Sequence, residues 1–321
     1  MKTAVALCIF NRPETTARVF AAIANAKPPI LLVVADGPRA NRPGEAEKCA
    51  AARAIIEQVD WPCEVRTHFA ATNLGVKHRM ASGVTWVFEQ VEEAIILEDD
   101  ILPDPTFFRF CEELLERYRE DERVGYIGGH NVLFGKRTNP YSYYFTYNLN
   151  EWGWASWRRA WQYYDVEMKL WGVIGDQGQI PSYLRTELHP RNARRWNDLS
   201  YRGEMTDKWD NQWGFACRAQ SMLAITPSVP LIKNLGLGAD ATTTTITYKL
   251  DELGAEEMQF PLAHPPYVLH DVIADRIADT ASGVPLIVKL ALNTLPPKSV
   301  RRVRNIAQRL MAARRALPIA R

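Results

Sequence analysis

The first hundred residues alternate strand-length runs with amphipathic stretches, and that alternation limits the possible folds more than any other feature. Residues 3–10, 30–35, 63–69 and 94–97 have strand length, and three of these four are continuous apolar runs. Between them, residues 14–26, 45–59 and 77–91 recur at helical spacing, with Val19, Phe20 and Ile23 on one face of the first and Met80, Val84, Val87 and Phe88 on one face of the third. Such alternation predicts βαβ units, and so an α/β fold with a mostly parallel, Rossmann-like central sheet flanked by helices. In sheets of this kind ligands bind beyond the carboxyl ends of the strands.

The polar residues at those ends are therefore candidates for chemistry. Asn11-Arg12 follows the first run, Asp36-Gly37 the second, and Glu98-Asp99-Asp100 the fourth. Three adjacent acids repel one another and cannot be buried unpaired without large cost. Either they line a wet loop or something positive sits among them, such as a divalent cation that shares its shell with phosphate oxygens. Arg12 can fork onto a phosphate. Asp36 can accept from a base or ribose, or can serve only as a turn residue. Lys77, His78 and Arg79 open a helix, where backbone N–H groups favour anions. No G-x-G-x-x-G and no Walker A sequence is present, which excludes the usual dinucleotide and P-loop sites.

Farther on, Asp104-Pro105 predicts the start of a helix running to about residue 119, followed by a strand over 124–127. From Asn139 the character changes: eight of ten tryptophans lie between Trp152 and Trp213. A strand is expected at 143–145, helices at 157–164, 191–201 and 209–223, and a strand at 224–227. A polar threonine run covers 242–245. Asp210 lies between Trp209 and Trp213, where an apolar platform beside a carboxylate suits a sugar and its hydroxyl; the competing reading makes both tryptophans core. The chain divides into residues 1–138, a continuous second half at 139–279, and a tail at 280–321. That tail holds nine of the 39 basic residues and none of the 37 acidic ones, leaving the body 30 against 37. Its Val303, Ile306 and Leu310 among arginines suggest a basic amphipathic helix for an anionic membrane face or a partner. Five cysteines without a CxxC pair indicate a reducing compartment. The apolar run at the N-terminus is read as a first strand, not a leader, and no run of 18 apolar residues exists to span a membrane.

Taken in order, Phe10-Asn11-Arg12-Pro13, Asp36-Gly37-Pro38-Arg39, Asn73-Leu74-Gly75, Ile96-Leu97-Glu98-Asp99-Asp100, Trp152-Gly153-Trp154 and Trp209-Asp210-Asn211-Gln212-Trp213 form a series. In that series the chain resembles nucleotide-diphospho-sugar transferases of GT-A fold, in a bacterial family-2-like group similar to eukaryotic N-acetylglucosaminyltransferase I. The resemblance covers residues 3 to about 245. It implies a nucleotide-sugar-binding first half and an acceptor-side second half. It implies Asp100 as ligand of Mn²⁺ or Mg²⁺, Arg12, Asp36, His78 and Asp99 on the nucleotide, Glu98 on the donor sugar, and Asp210 as base. The eukaryotic relative carries two adjacent acids between its tryptophans and uses the second. Here that position is Asn211, so the role shifts to Asp210, with Glu204 and Asp207 in reserve. A C-terminal histidine, His270, is a candidate further metal ligand, and loops at 128–139 and 234–245 are expected to move.

The function implied is a metal-dependent, inverting transfer of sugar from a UDP-type donor to a glycan or lipid-linked acceptor, as in cell-surface polysaccharide synthesis. The expected location is cytoplasmic, peripheral on the inner membrane face, with no nucleic-acid partner. Two alternatives stand beside it. One is a non-catalytic sugar-nucleotide or glycan-binding protein. The other is a sugar-phosphate nucleotidylyltransferase, disfavoured because Asn11-Arg12-Pro13 lacks the glycine-rich loop such enzymes need.

Overall fold

A computed structural model describes residues 1–205, 208–236 and 253–281. Four parallel strands form one end of its main sheet: β1 (Ala4–Ile9), β2 (Ile30–Ala35), β3 (Glu64–Phe69) and β4 (Glu93–Glu98). The connecting helices are α1 (Pro13–Ala26), α2 (Glu45–Ala54, followed by a 3₁₀ turn at Ile55–Gln58) and α3 (Gly75–Gln90). Pro13 opens α1 at a position that needs no N–H donor, and Val19, Phe20 and Ile23 are buried as the helical spacing predicts. α3 starts two residues earlier than expected, because Gly75 takes the left-handed φ of +75° that turns the chain into it.

A short β5 (Ile101–Pro103) follows, then α4 (Pro105–Arg117), in which Asp104 caps the helix by accepting from the Thr106 N–H at 2.8 Å. Next come β6 (Val124–Gly128), β7 (Tyr143–Thr146), β8 (Trp154–Trp157), α5 (Arg158–Trp161), α6 (Lys169–Asp176), α7 (Ile180–Leu184), α8 (Pro190–Tyr201), α9 (Asp210–Ala219), β9 (Leu223–Pro227), β10 (Ile232–Asn234) and α10 (Val272–Ala281). The eight-stranded sheet has the order β3-β2-β1-β4-β8-β6-β9-β7, and β5 pairs with β10 in a separate ribbon. β8 is antiparallel to both β4 and β6, and β7 is antiparallel to β9. A mostly parallel α/β layout is thus present, and strands from both sides of residue 138 share one sheet.

The period-two alternation of strands sorts the core onto two faces. Val5, Leu7, Leu31 and Ile95 pack with Phe107, Phe110 and Leu114 on one face. Ala6, Leu32 and Ile96 pack with Met80, Val84, Trp154 and Trp213 on the other. Of the expected helices, 157–164 shrinks to α5, and Tyr164 instead stacks on Trp161 with ring centroids 4.2 Å apart. The expected helix at 209–223 ends at Ala219, and its last residues turn into β9. The threonine run at 242–245, Asp207 and the basic tail from residue 282 lie outside the described residues.

Candidate functional site

β4 ends at Glu98, and its parallel neighbour β1, with Cys8 opposite Glu98, ends beside it. The Phe10 N–H, just past β1, donates to Asp99 Oδ2 at 3.0 Å. Arg12, at the mouth of α1, places Nη1 3.1 Å from Asp99 Oδ1 and 2.5 Å from Asp100 Oδ2. One guanidinium therefore holds two of the three acids. It does not balance them. Burial, then repulsion from Asp100, pushes the Asp99 carboxyl up to about 6, against Arg12 and the Phe10 N–H. Burial likewise pushes Glu98 well above the usual carboxylate range, with Asp100, Glu151 and Asp99 adding to it.

The β5–β10 ribbon closes this edge from the other side. Asn234 pairs with Ile101, the Leu235 N–H donates to the Asp100 carbonyl at 2.7 Å, and Gly236 lies against the Asp100 side chain. A Cβ on Gly236 would stand 2.1 Å from Asp100 Oδ2, so only glycine permits the approach.

Asp36 sits at the end of β2 with both carboxylate oxygens occupied. Oδ1 accepts from the Gly37 and Leu74 N–H groups at 2.8 and 2.9 Å, and Oδ2 from Asn73 Nδ2 and the Gly75 N–H at 3.0 and 3.1 Å. It shapes the turn into α3. His78 is exposed on the first turn of α3, while Arg79 is buried and reaches back to His68. Among the described residues neither Asp36 nor His78 bonds to the acidic triplet.

On the far side of β4, antiparallel β8 places Trp154 opposite Ile96, so the residues preceding β8 lie at the same sheet end as Glu98. Glu151 is among them. Burial and the charge of Asp210 raise its carboxyl, with Lys208 opposing. Asp210 is the first residue of α9, where the helix dipole favours a carboxylate, and its Oδ2 lies 3.8 Å from Lys208 Nζ. Glu151 and Asp210 both line a cavity of about 500 Å³, walled also by Tyr147, Trp196, Trp209 and Asp275 of α10. Trp209 and Trp213 are core residues, ringed around Trp154, and also wall this cavity. Asn211 turns to α8: its Nδ2 donates to Ser200 Oγ at 2.9 Å and to Asn197 Oδ1 at 3.3 Å. Glu204 is exposed and paired with Arg202 at 2.6 Å.

Glu151 escaped the sequence reading. Its only signal was its position ahead of Trp152-Gly153-Trp154, and its meaning depends on β8, a strand the sequence did not announce. His270 bridges to Phe145 of β7, four strand spacings from β4 or roughly 19 Å away. Its Nε2 bonds Asp275 at 2.6 Å, so it stands apart from Asp100.

Among the described residues no group of three or more His, Cys, Asp or Glu could hold a metal by itself. A hard cation that keeps phosphate oxygens and waters needs only one or two carboxylates. Asp99 and Asp100, adjacent carboxylates that share one guanidinium, are the oxygens that could enter such a shell.

The chain matches no protein-family model and no curated protein sequence. Solved structures of similar layout include mouse xyloside xylosyltransferase 1, at 12% identity and a TM-score of 0.34 over 67% of this chain and 81% of that one. UDP-glucose pyrophosphorylase complexed with UDP-glucose follows at 10% identity and a TM-score of 0.31, over 51% and 79%. The 4-diphosphocytidyl-2C-methyl-D-erythritol synthase of Anaerococcus prevotii is similar at 8% identity and a TM-score of 0.32, over 50% and 74%. Overlaps of this size assign neither family nor chemistry.

Proposed function

We propose that the protein transfers a sugar from a nucleotide-diphosphate donor to an acceptor hydroxyl, with inversion. One observation carries this reading: antiparallel β8 pairs Trp154 with Ile96, so the segment bearing Glu151, which lines the carboxylate-rich aromatic cavity, runs beside the acidic end of β4. That neighbourhood supports charge chemistry for a diphosphate on one strand and a proton acceptor for a hydroxyl beside it.

Arg12 would bind the diphosphate, Asp99 the ribose and Glu98 the donor sugar, while Asp36 and His78 flank the nucleotide, Asp36 by shaping the 73–75 turn. Asp100 would hold Mn²⁺ or Mg²⁺, which when bound neutralises charge on the leaving diphosphate. Asp210 takes the proton from the acceptor hydroxyl as its oxygen bonds to the anomeric carbon, and the bond from that carbon to the diphosphate oxygen breaks. Glu151 stands beside Asp210 on the same cavity wall.

Thermal shift with UDP, GDP and dTDP sugars, each with and without Mn²⁺, tests the donor half, because a ligand of the native state raises the melting temperature. A metal-dependent rise with one nucleotide series is expected; no rise with any of them sinks the reading. For the other half, Asp210→Asn should lower donor turnover by roughly 100-fold or more and leave nucleotide affinity near wild type. Retained turnover would move the base, with Glu151 next in place.

A second reading, nucleotidylyl transfer, shares the fold of UDP-glucose pyrophosphorylase. Here Pro13 begins α1 directly after Arg12, leaving no glycine-rich loop after β1 to cradle a triphosphate. Pyrophosphate release from a nucleoside triphosphate and a sugar phosphate would favour that reading over transfer.

A further inference from the structure

The wall of the cavity beside Asp210 is chemically selective, and what it selects can be read on the assumption that sugar transfer is its business. We propose that this cavity is an acceptor subsite for a neutral or amine-bearing sugar ring, built against phosphorylated and carboxylated ones, with Asn197 reading a ring substituent.

Size and surface suit a sugar. The volume of about 500 Å³ falls within the range of small-molecule sites, roughly 300–1,000 Å³. Tyr147, Tyr183, Trp196 and Trp209 line it with aromatic surface, which suits the C–H side of a pyranose.

Charge gives the direction of selection. The wall carries Glu151, Glu187, Asp210, Asp275 and Asp279. Its cationic groups are already committed. Arg218 pairs with Glu187 at 2.8 Å, donates to Thr186 Oγ1 at 2.9 Å and lies over the Tyr147 ring at 4.7 Å. His189 pairs with Asp279 at 3.1 Å. Acids outnumber cations on this wall five to two, so an entering phosphate or carboxylate would meet net like charge, opposed by Lys208 beside Asp210, which is how a site rejects the wrong ligand. Hydroxyls and ammonium groups are donors, which carboxylates accept.

Asn197 supplies an observation independent of the acids. It is 4% exposed, and its Nδ2 has no hydrogen-bond partner. Its side chain reaches the Tyr183 hydroxyl only outside normal hydrogen-bond geometry, and its Oδ1 accepts from Asn211 at 3.3 Å. A buried donor without an acceptor is costly. A hydroxyl or acetamido oxygen of a bound ring would satisfy it.

Saturation-transfer NMR on the full chain, with methyl glucoside, methyl glucosaminide, methyl glucuronide and glucose phosphate as probes, tests the proposal, with UDP affinity measured on the same sample. Signals from the glucoside and glucosaminide alone are expected. Asn197→Asp keeps the bond from Asn211 and loses the donor, and should weaken the neutral ring roughly 2- to 10-fold; Asn197→Leu serves as a second variant. Glu187→Gln frees Arg218 and should bring out the glucuronide signal. Equal signals from charged probes, no signal from any sugar, or wild-type binding by both Asn197 variants overturns the proposal. UDP binding without sugar binding overturns the subsite and leaves the donor reading; sugar binding without UDP binding does the reverse.

Discussion

Arg12 is the residue on which the acidic edge depends, since Asp99 and Asp100 share its one Nη1. Arg12→Ala leaves both carboxylates without that partner. Because the Arg12 side chain is 28% exposed, the cost falls below that of a fully buried pair, at roughly 1–2 kcal/mol in chemical denaturation. Affinity for UDP should fall with it; an unchanged affinity would place the diphosphate elsewhere. His130 makes a second residue-scale prediction. Burial pushes its imidazole down to about 4 from 6.5, offset only in part by the Ile232 backbone, and its ring packs against Trp152 at 4.5 Å. Between those values the unfolded chain binds the proton and the folded one does not, so stability present above pH 6.5 is lost as pH falls toward 4. The loss amounts to at most about 3 kcal/mol. His130→Phe should flatten that fall when denaturation is compared across the window. Asn211, which departs from the acid of the resembled family, has a structural occupation: it ties α9 to α8 through Ser200 and Asn197. No residue pattern within Trp209–Trp213 announces that, because its partners lie on another helix.

At the scale of elements, the β5–β10 ribbon sets the position of Asp100 through Gly236. Gly236→Ala forces the Asp100 carboxylate aside, since the new Cβ would fall 2.1 Å from Oδ2. Metal-dependent nucleotide affinity is expected to drop about tenfold or more, with the melting temperature little changed; calorimetry on the variant with and without Mn²⁺ measures it. This ribbon was not legible in the sequence, because three-residue strands carry too few alternations to register. β8 was missed for a related reason. Its Trp154-Ala155-Ser156-Trp157 is buried on both faces, and Ser156 is accommodated by donating to the Gly125 carbonyl at 2.7 Å. By contrast β1, β2 and β4 were legible as continuous apolar runs, and α1 and α4 by proline and cap residues at their first turns. α6 and α7 were not, being short and set among Gly172, Gly175, Gly178 and Pro181.

For the molecule as a whole, the local acidic edge could be read from strand ends, whereas the cavity could not. Its wall gathers residues from Tyr126 to Asp279, and only tertiary packing brings them together. No helix of the described residues is long and apolar enough to cross a membrane. Seven of the tail's basic residues lie in 299–321, and each near an anionic surface adds about 1 kcal/mol of attraction. Deleting residues 299–321 should therefore release the protein from anionic vesicles in co-sedimentation; unchanged sedimentation would rule out that attachment. The sheet has a mechanical consequence as well. β4, which ends in the acidic triplet, and β8, which follows Glu151, are bonded side by side from Glu93–Trp157 to Ile96–Trp154. Neither strand can swing or slide without breaking that ladder. The bases of the two sides are therefore fixed relative to one another when the chain folds. Relative motion of the two sides is left to the segments beyond the ladder, 98–100 and 151–153, and any process that needs it would slow as solvent viscosity rises.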